Sequence, residues 1–241
     1  MPQLHRYMTA LLEVAGPRFL QLYETHREDF KKVIGDELEG LAPTSMNLPV
    51  DDDERLLNRV LGGFNEIYQS LTCLDTIGIY VRRNPYRRLG VEDAEYLRYH
   101  FENYLHEVYL LRERLTRYLG TLRDVYRQST VGDELLPLLK QMKKPVLDML
   151  EPLTKPRKEH VHERRVQDPD LRRLSLLQSL SFAAPAFGEL HNVVQRDVRK
   201  EKIRWMRETT AVIRRRVDDY FAVLNTVLCD EKRSFVEPDA K

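Results

Sequence analysis

Apolar residues recur every three or four positions along nearly the whole chain. The most regular run holds nine residues at spacings of four and three: Leu97, Phe101, Tyr104, Val108, Leu111, Leu115, Tyr118, Leu122 and Val125. This period places them on one face of a long α-helix that packs nearly in line with its partners. A second such face predicts a helix before "NPYRRLG", through Leu57, Val60, Phe64, Ile67, Leu71 and Leu74. Alternating β-branched runs, which would predict strands, are essentially missing.

Capping and helix-breaking residues divide the rest of this pattern. The "GP" at 16–17 predicts a break in the first helical region, and Pro145 is expected to kink or split a later helix because it lacks a backbone donor. Asp168 and Pro169 predict an N-cap and a first helical residue. After "AAPAFG", a last long helix is predicted from about residue 189 to 229.

These elements predict an all-α fold, an up-and-down helical bundle with long antiparallel helices. We expect one domain over residues 1–241, with N-terminal helices in 1–45 and the main bundle in 51–229. The tail at 230–241 is expected to fray. Acidic residues at 51–54 give a favourable charge to the start of the next helix.

Composition predicts a cytoplasmic protein. The chain is 42% hydrophobic and 32% charged, which suits a globular protein and is too apolar for disorder. Its two cysteines form no disulfide framework or metal cluster, which indicates a reducing compartment. The first residues do not resemble a signal peptide, and no apolar run reaches the roughly 20 residues that span a bilayer. No membrane partner is expected.

Several kinds of catalytic or cofactor site are not indicated. The sequence has no GxGxxG, no GxxxxGK[ST] and no GxSxG motif. A carboxylate-bridged di-metal bundle needs two ExxH pairs, and Glu159 with His162 forms the one pair found. We therefore predict neither a metal nor a cofactor.

The net charge of +1 conceals two charged segments of opposite sign. Residues 36–54 hold seven acidic residues and no basic one, whereas 196–216 hold nine basic residues and three acidic ones. The basic run, which includes Arg199 and Lys202, is either a solvated helix face or a track for a phosphate backbone. Trp205 within it is either a stacking platform or a core residue.

A second basic segment, "KPRKEHVHERR" at 155–165, contains the strongest candidate site. With Thr154 as N-cap and Pro156 in the first turn, Arg157 would lie at a helix N-terminus that favours an anion. His162 follows five residues later, which on an ideal helix rotates the two side chains about 140° apart. They would converge only with local distortion or with a second chain.

Arg157 and His162 match the R-x(4–6)-H motif, and the segment resembles HEPN domains, a class of helical nucleotide-binding domains. Those domains are commonly dimeric, and many are metal-independent ribonucleases in which the Arg and His of two protomers meet in a shared cleft. The resemblance implies that His162 is the acid/base and that Arg157 stabilises the phosphate. His160 and Lys158 would position RNA. The family often has a small polar residue where this chain has Lys158.

The sequence therefore predicts a HEPN-like, RNA-binding homodimer and a metal-independent endoribonuclease with Arg157 and His162 as catalytic residues. RNA or phosphate would be held by the basic residues of both segments, namely Lys158, His160, Arg164, Arg165, Arg199 and Lys202. A protein partner such as an antitoxin stays open. One alternative is a non-catalytic interaction protein that dimerises through the long helix at 97–125. Another is a bundle that binds a small ligand in an apolar pocket.

Overall fold

The fold, known from a computed structural model, is all-α, as predicted. The structure describes residues 1–28, 31–32, 52–85, 90–162, 168–184, 186–229 and 235–237, with the backbone alone at 146, 149 and 154–162. Its long helices are α1 (Pro2–Thr25), α2 (Asp52–Tyr80), α3 (Asp93–Val125), α4 (Gly132–His162), α5 (Pro169–Ala183) and α6 (Ala186–Leu228).

The apolar spacing identified the buried faces of α2 and α3. All nine predicted positions of α3 are buried, and so are all six of α2. Each of these helices therefore turns the stripe that its sequence period marks toward the protein interior. The prediction of both faces is confirmed.

Two helix starts are also confirmed. The Asp168 carboxylate accepts hydrogen bonds from the backbone N–H groups of Asp170 and Leu171, at 3.1 and 3.0 Å, and Pro169 is the first residue of α5. Helix α2 begins with acidic residues in its first turn, where the free N–H groups of a helix favour negative charge.

Three predicted interruptions of the helices are absent, whereas a kink at Pro145 stays a prediction. Helix α1 continues through Pro17, and α4 continues through Pro145 and through Pro156, where a new helix was expected to begin. A proline in a helix removes one backbone donor, and the neighbouring backbone bonds can keep the helix continuous. In α4, the side chain of Arg112 on α3 also donates to the carbonyl of Leu147, at 3.4 Å.

The chain divides into two compact units, and the single domain predicted for 1–241 stays a prediction. The first unit comprises residues 1–64, 118–141 and 218–241, and the second comprises 65–117 and 142–217. Helices α2, α3, α4 and α6 each contribute residues to both units.

The first unit has an aromatic core around Tyr7. The ring of Tyr7 lies 4.9 Å from that of Phe221, 5.7 Å from that of Phe64 and 5.3 Å from that of Phe235, measured between centroids. Its hydroxyl is 2.7 Å from the hydroxyl of Tyr118, and both tyrosines are fully buried. This pairing satisfies two polar groups that would otherwise lie unbonded among aromatic rings.

The C-terminal tail packs onto the same core. Phe235 is buried and forms a β-bridge with Cys229, and the N–H of Val236 donates to the carbonyl of Leu228 at 2.9 Å. Tyr126 donates from its hydroxyl to the Val236 carbonyl at 2.7 Å. The predicted fraying is therefore wrong for residues 235–237, because a buried aromatic ring and two hydrogen bonds hold them against the first unit.

In the second unit, helices α2 and α3 run in opposite directions, as an up-and-down bundle requires. Tyr96, near the start of α3, donates to the carbonyl of Tyr80 at the end of α2, and Arg114, farther along α3, donates to Ser70. Helix α6 runs parallel to α3, as successive contacts of Asp93 with Arg199 and of Phe101 with Trp205 show.

Candidate nucleic-acid interface

The Arg157–His162 motif occupies the last turns of α4. The helix begins at Gly132 and ends at His162, so the prediction that Arg157 lies at a helix N-terminus is wrong. The C-terminal end of a helix carries a partial negative charge, which favours cations and disfavours phosphate. Any phosphate affinity of this segment must come from its side chains.

The backbone from 157 to 162 is helical, which determines how the two positions of this motif are arranged around α4. Five residues of α-helix rotate two backbone positions about 140° apart, so positions 157 and 162 lie on different sides of the α4 backbone. If both groups act on one phosphate, a second chain would have to supply one of them. The side chains of Arg157, Lys158, His160 and His162 lie outside the described part, and their roles stay predictions. Arg164 and Arg165 lie outside it entirely.

The end of α4 lies within reach of the basic run on α6. His162 precedes Asp168 by six residues, so their Cα atoms are at most roughly 20 Å apart. Asp168 in turn accepts a hydrogen bond from Lys202 of α6, at 2.5 Å. The two basic segments that the sequence singled out thus belong to one region of the second unit.

Arg199 and Lys202, the two predicted phosphate ligands of α6, are both occupied by carboxylates. Arg199 donates to Asp93 at 2.7 Å, and Lys202 donates to Asp168 at 2.5 Å and to Asp170 at 3.2 Å. The Lys202 side chain is 10% exposed and its ammonium lies 5.2 Å from the centre of the Phe101 ring. Their phosphate-binding role stays a prediction, and it would require these ion pairs to break.

The pKa of Asp93 reflects this pairing. Burial of the carboxyl raises its pKa, but the hydrogen bonds from Arg199, Asn84 and Gln195 outweigh that effect and hold the pKa below its ordinary value. The carboxylate is therefore charged at neutral pH and competes with any phosphate for Arg199.

A separate set of cations on α6 faces solvent. We call it the basic stripe, and it consists of Arg196, Lys200, Arg204, Arg207 and Arg215. Their spacing keeps them within a narrow arc of the helix, over about 28 Å of its length. All five are exposed, and none forms a hydrogen bond or an ion pair with any residue that the structure describes. No side chain of the described residues therefore competes with a ligand for these charges.

Acidic residues border the basic stripe on one side. Asp197, Glu201 and Glu208 are exposed on the adjoining strip of α6. They limit the positive potential to one edge of the helix, so that an anionic polymer would lie along the stripe in a defined orientation.

Trp205 packs inward and does not form an exposed stacking platform. Its ring lies 5.5 Å from that of Phe101 and 5.6 Å from that of Tyr104, both on α3. Of the two roles that the sequence left open for this residue, the structure favours the packing role.

Other candidate sites find no support in the described ranges. No group of three or more His, Cys, Asp or Glu side chains that could hold a metal occurs there, and Glu159 lies outside the described side chains. His106 is exposed, off the apolar face of α3, as expected. No helix among the described residues is both long and apolar enough to cross a bilayer.

Dimerisation through the apolar face of α3 is not possible in this fold. All nine residues of that face are buried inside the chain itself. The regular apolar spacing of α3 therefore reflects packing within the chain. None of the nine residues is exposed for contact with a second chain. An interaction surface must lie elsewhere.

Known proteins add no further constraint on the function. Comparison of the chain with protein-family models, with curated proteins and with solved structures finds no match.

Proposed function

We propose that this protein binds RNA along the basic stripe, and that it acts as a cytoplasmic homodimer. The observation that carries the proposal is the line of five exposed cations without described partners. The HEPN-like motif adds a proposed activity, metal-independent cleavage of the bound RNA by Arg157 and His162.

Electrostatics gives the binding proposal a physical basis. Each backbone phosphate that a lysine or arginine neutralises releases condensed counterions, and this release drives association. The first four stripe cations follow one another at about one helical turn, roughly 4.5 to 6 Å along the axis, and Arg215 follows about 12 Å farther on. This allows successive contacts along one strand. Because Trp205 packs inward, such contacts would be to phosphates and not to bases.

Cleavage would need two proton transfers and charge stabilisation at phosphorus. The 2′-oxygen attacks the adjacent phosphorus as its proton passes to a base, and the P–O5′ bond breaks as an acid protonates the leaving 5′-oxygen. His162 suits the base and acid roles because the ordinary pKa of histidine is near neutrality. Arg157 would stabilise the negative phosphorane. Since positions 157 and 162 lie on different sides of the α4 backbone, the proposed site takes one of the two groups from each chain.

Removing three stripe cations tests the binding proposal. We expect the triple variant Lys200→Gln, Arg204→Gln, Arg207→Gln to bind a fluorescein-labelled RNA at least roughly tenfold more weakly at constant salt. The slope of log K against log salt should fall by about 2 to 3. The matched control, Lys140→Gln, Lys143→Gln, Lys144→Gln, removes the same charge from exposed positions of α4. Equal losses of RNA affinity in the two triple variants would mean that only the net charge matters. That result would contradict the proposal that the basic stripe binds RNA.

A separate assay tests catalysis. The full chain is incubated with mixed RNA in EDTA beside His162→Ala and Arg157→Ala. We expect cleavage by the unsubstituted chain and none by either variant, while anisotropy shows that His162→Ala still binds RNA. Equal degradation by all three, or none by any, removes the catalytic proposal and leaves the binding proposal standing.

The alternative is a non-catalytic helical dimer that acts as an interaction protein, and the exposed apolar side chains of Leu176, Phe182 and Leu190 on α5 and α6 favour it. That role predicts that replacing Arg157 and His162 changes local stability alone. Intact RNA together with unchanged partner binding would favour this alternative over cleavage.

A further inference from the structure

The junction of α2 and α3 exposes two tyrosine rings beside a half-buried histidine. Tyr80, the last residue of α2, is 55% exposed, and Tyr99, in the second turn of α3, is 60% exposed. The centre of the His100 ring lies 6.0 Å from that of Tyr80 and 5.3 Å from that of Tyr99. We call these three residues the aromatic cluster. Because each tyrosine is more than half exposed, at least one face of its ring is open to a ligand.

Hydrogen bonds to the carbonyl of Tyr80 hold the aromatic cluster in place. This carbonyl accepts from the hydroxyl of Tyr96 at 3.1 Å and from the N–H of Arg83 at 3.4 Å. The Tyr96 ring is buried, and its centre lies 4.4 Å from that of His100. The end of α2 is thus tied to the first turns of α3 beneath the exposed rings. A site that is already ordered loses little conformational entropy when a ligand binds.

Positive charge accompanies the aromatic cluster. Arg82 and Arg83 directly follow α2, are exposed, and form no ion pair with any residue that the structure describes. From residue 76 to residue 91 the sequence holds four arginines and no acidic residue. Asn84 fixes the start of this turn, since its Nδ2 donates to the carbonyl of Val91 at 2.9 Å. Arginine beside open aromatic rings is a combination that binds a phosphate together with an unpaired base.

The aromatic cluster is separate from the basic stripe. Tyr99 lies about 160° around α3 from Phe101, and the ring of Phe101 packs on Trp205 of α6. Position 99 therefore lies on the side of α3 away from α6, which carries the stripe. The stripe offers contacts to phosphates, whereas the cluster offers open rings that can contact bases.

We propose that the aromatic cluster binds unpaired bases of single-stranded RNA, with Tyr80 and Tyr99 each stacking on a base. Arg82 and Arg83 hold the adjoining phosphates. A tyrosine face stacks on any of the four bases, so the site accepts different sequences. Bases inside a duplex are stacked on their neighbours and cannot use these rings. The inference rests on the proposed function for the identity of the polymer, and it adds a preference for unpaired strands.

One carboxylate lies near the cluster along α3. Glu95 is exposed and precedes Tyr99 by one helical turn, so the two residues share a face of the helix. Its negative charge repels phosphate. The backbone of a bound strand would therefore follow Arg82 and Arg83 instead of running along α3.

Replacing both rings with aliphatic side chains tests the proposal. The probe is a fluorescein-labelled single-stranded RNA of about 12 nucleotides without self-complementarity, and the same strand annealed to its complement is the comparison. We expect Tyr80→Leu with Tyr99→Leu to weaken binding of the single strand at least about tenfold and binding of the duplex less than about twofold. Unchanged affinity for the single strand, or equal losses for both RNAs, overturns the proposal. Circular dichroism checks that the variant is folded.

Two control variants identify stacking as the cause. Tyr80→Phe with Tyr99→Phe keeps the faces that stack and should bind the single strand as the unsubstituted chain does. Tyr68→Leu with Phe182→Leu removes two exposed aromatic rings elsewhere in the second unit and should also leave the affinity unchanged. A tenfold loss in either control overturns the proposal, because the effect would then come from the hydroxyl groups or from exposed rings in general.

An RNA strand without bases measures the base contribution directly. The probe is the same ribose-phosphate backbone with abasic sites throughout. The unsubstituted chain should bind it at least about tenfold more weakly than the intact strand, and Tyr80→Leu with Tyr99→Leu should bind the two strands nearly alike. Equal affinity of the unsubstituted chain for both strands contradicts base stacking.

The same titrations distinguish this proposal from that of the basic stripe. If the triple stripe variant weakens binding of both RNAs and the leucine pair at 80 and 99 weakens neither, the aromatic cluster alone is contradicted. If the leucine pair weakens binding of the single strand and the stripe variant changes nothing, the stripe alone is contradicted. No binding of either RNA by the unsubstituted chain contradicts both.

Discussion

Lys202 bonds to one oxygen of the Asp168 carboxylate while the other oxygen of that carboxylate caps α5. The ammonium donates to Oδ2 at 2.5 Å, and Oδ1 accepts from the N–H groups of Asp170 and Leu171. One side chain thus fixes the start of α5 and ties it to α6. A residue that composition marks as a candidate phosphate ligand is here part of the packing between two helices.

Replacing Lys202 should destabilise the fold. We expect Lys202→Ala to lower the free energy of unfolding by about 2 to 4 kcal/mol, because it leaves the carboxylates of Asp168 and Asp170 without their buried cation. Chemical denaturation measures the change. Lys200→Ala removes the same charge from an exposed position two residues away and should change stability by less than about 0.5 kcal/mol. Similar losses in both would contradict a specific role for the ion pair.

Replacing the adjacent glycines 62 and 63 of α2 with alanine should change the free energy of unfolding in opposite directions. At Gly62 an added Cβ meets no atom within 4 Å, so Gly62→Ala should stabilise by about 0.5 to 1 kcal/mol through helix propensity. At Gly63 the Cβ would lie 2.7 Å from the ring of Tyr118, which is buried and bonded to Tyr7. Gly63→Ala should therefore destabilise by about 1 to 3 kcal/mol, as overpacking does. Thermal unfolding compares the two, and equal shifts would rule out the close contact.

The Tyr7–Tyr118 pair should show strong coupling. Tyr7→Phe leaves the Tyr118 hydroxyl buried without its partner, which costs about 1 to 3 kcal/mol, and Tyr118→Phe does the same to Tyr7. Removing both hydroxyls should cost clearly less than the sum of the single changes. A double-mutant cycle by denaturation measures this difference. Additive losses would mean that the 2.7 Å contact is not a stabilising hydrogen bond.

His100 should make stability sensitive to mild acid. Burial lowers the pKa of His100 below its ordinary value of 6.5. The unfolded chain therefore binds a proton more readily than the folded chain, and stability falls as the pH drops from 6.5 through the folded pKa. We expect His100→Gln to flatten this part of the stability profile. His5→Gln, at an exposed position of α1, serves as the control substitution. A slope that persists in His100→Gln would contradict the assignment.

The buried faces of the helices could be predicted because the spacing of apolar residues along one helix depends only on residues that are close together in the sequence. The α3 face from Leu97 to Val125 is an example, since every one of its positions is buried. The partner of that face could not be predicted in this way. The same spacing fits a coiled coil between chains and a bundle within one, and the choice depends on helices distant in the sequence.

The candidate site was predicted less well, for two physical reasons. The breaks expected at Pro17 and before Pro156 and the split allowed at Pro145 do not occur, because one lost backbone bond does not end a helix that its other bonds maintain. The ion pair of Arg199 could not be predicted from the sequence, since Asp93, its partner, lies 106 residues away in the chain. Helical spacing applied to the basic run would have separated the outward stripe from the inward cations.

Because of the position of Trp205, tryptophan fluorescence reports the unfolding of the second unit. It is the one tryptophan of the chain, and its ring packs between Phe101 and Tyr104 within that unit. Far-ultraviolet dichroism instead reports the helices of both units. The two signals thus compare the unfolding of the second unit with that of the whole chain, without any label. Coincident transitions would identify one cooperative block, and separated transitions two.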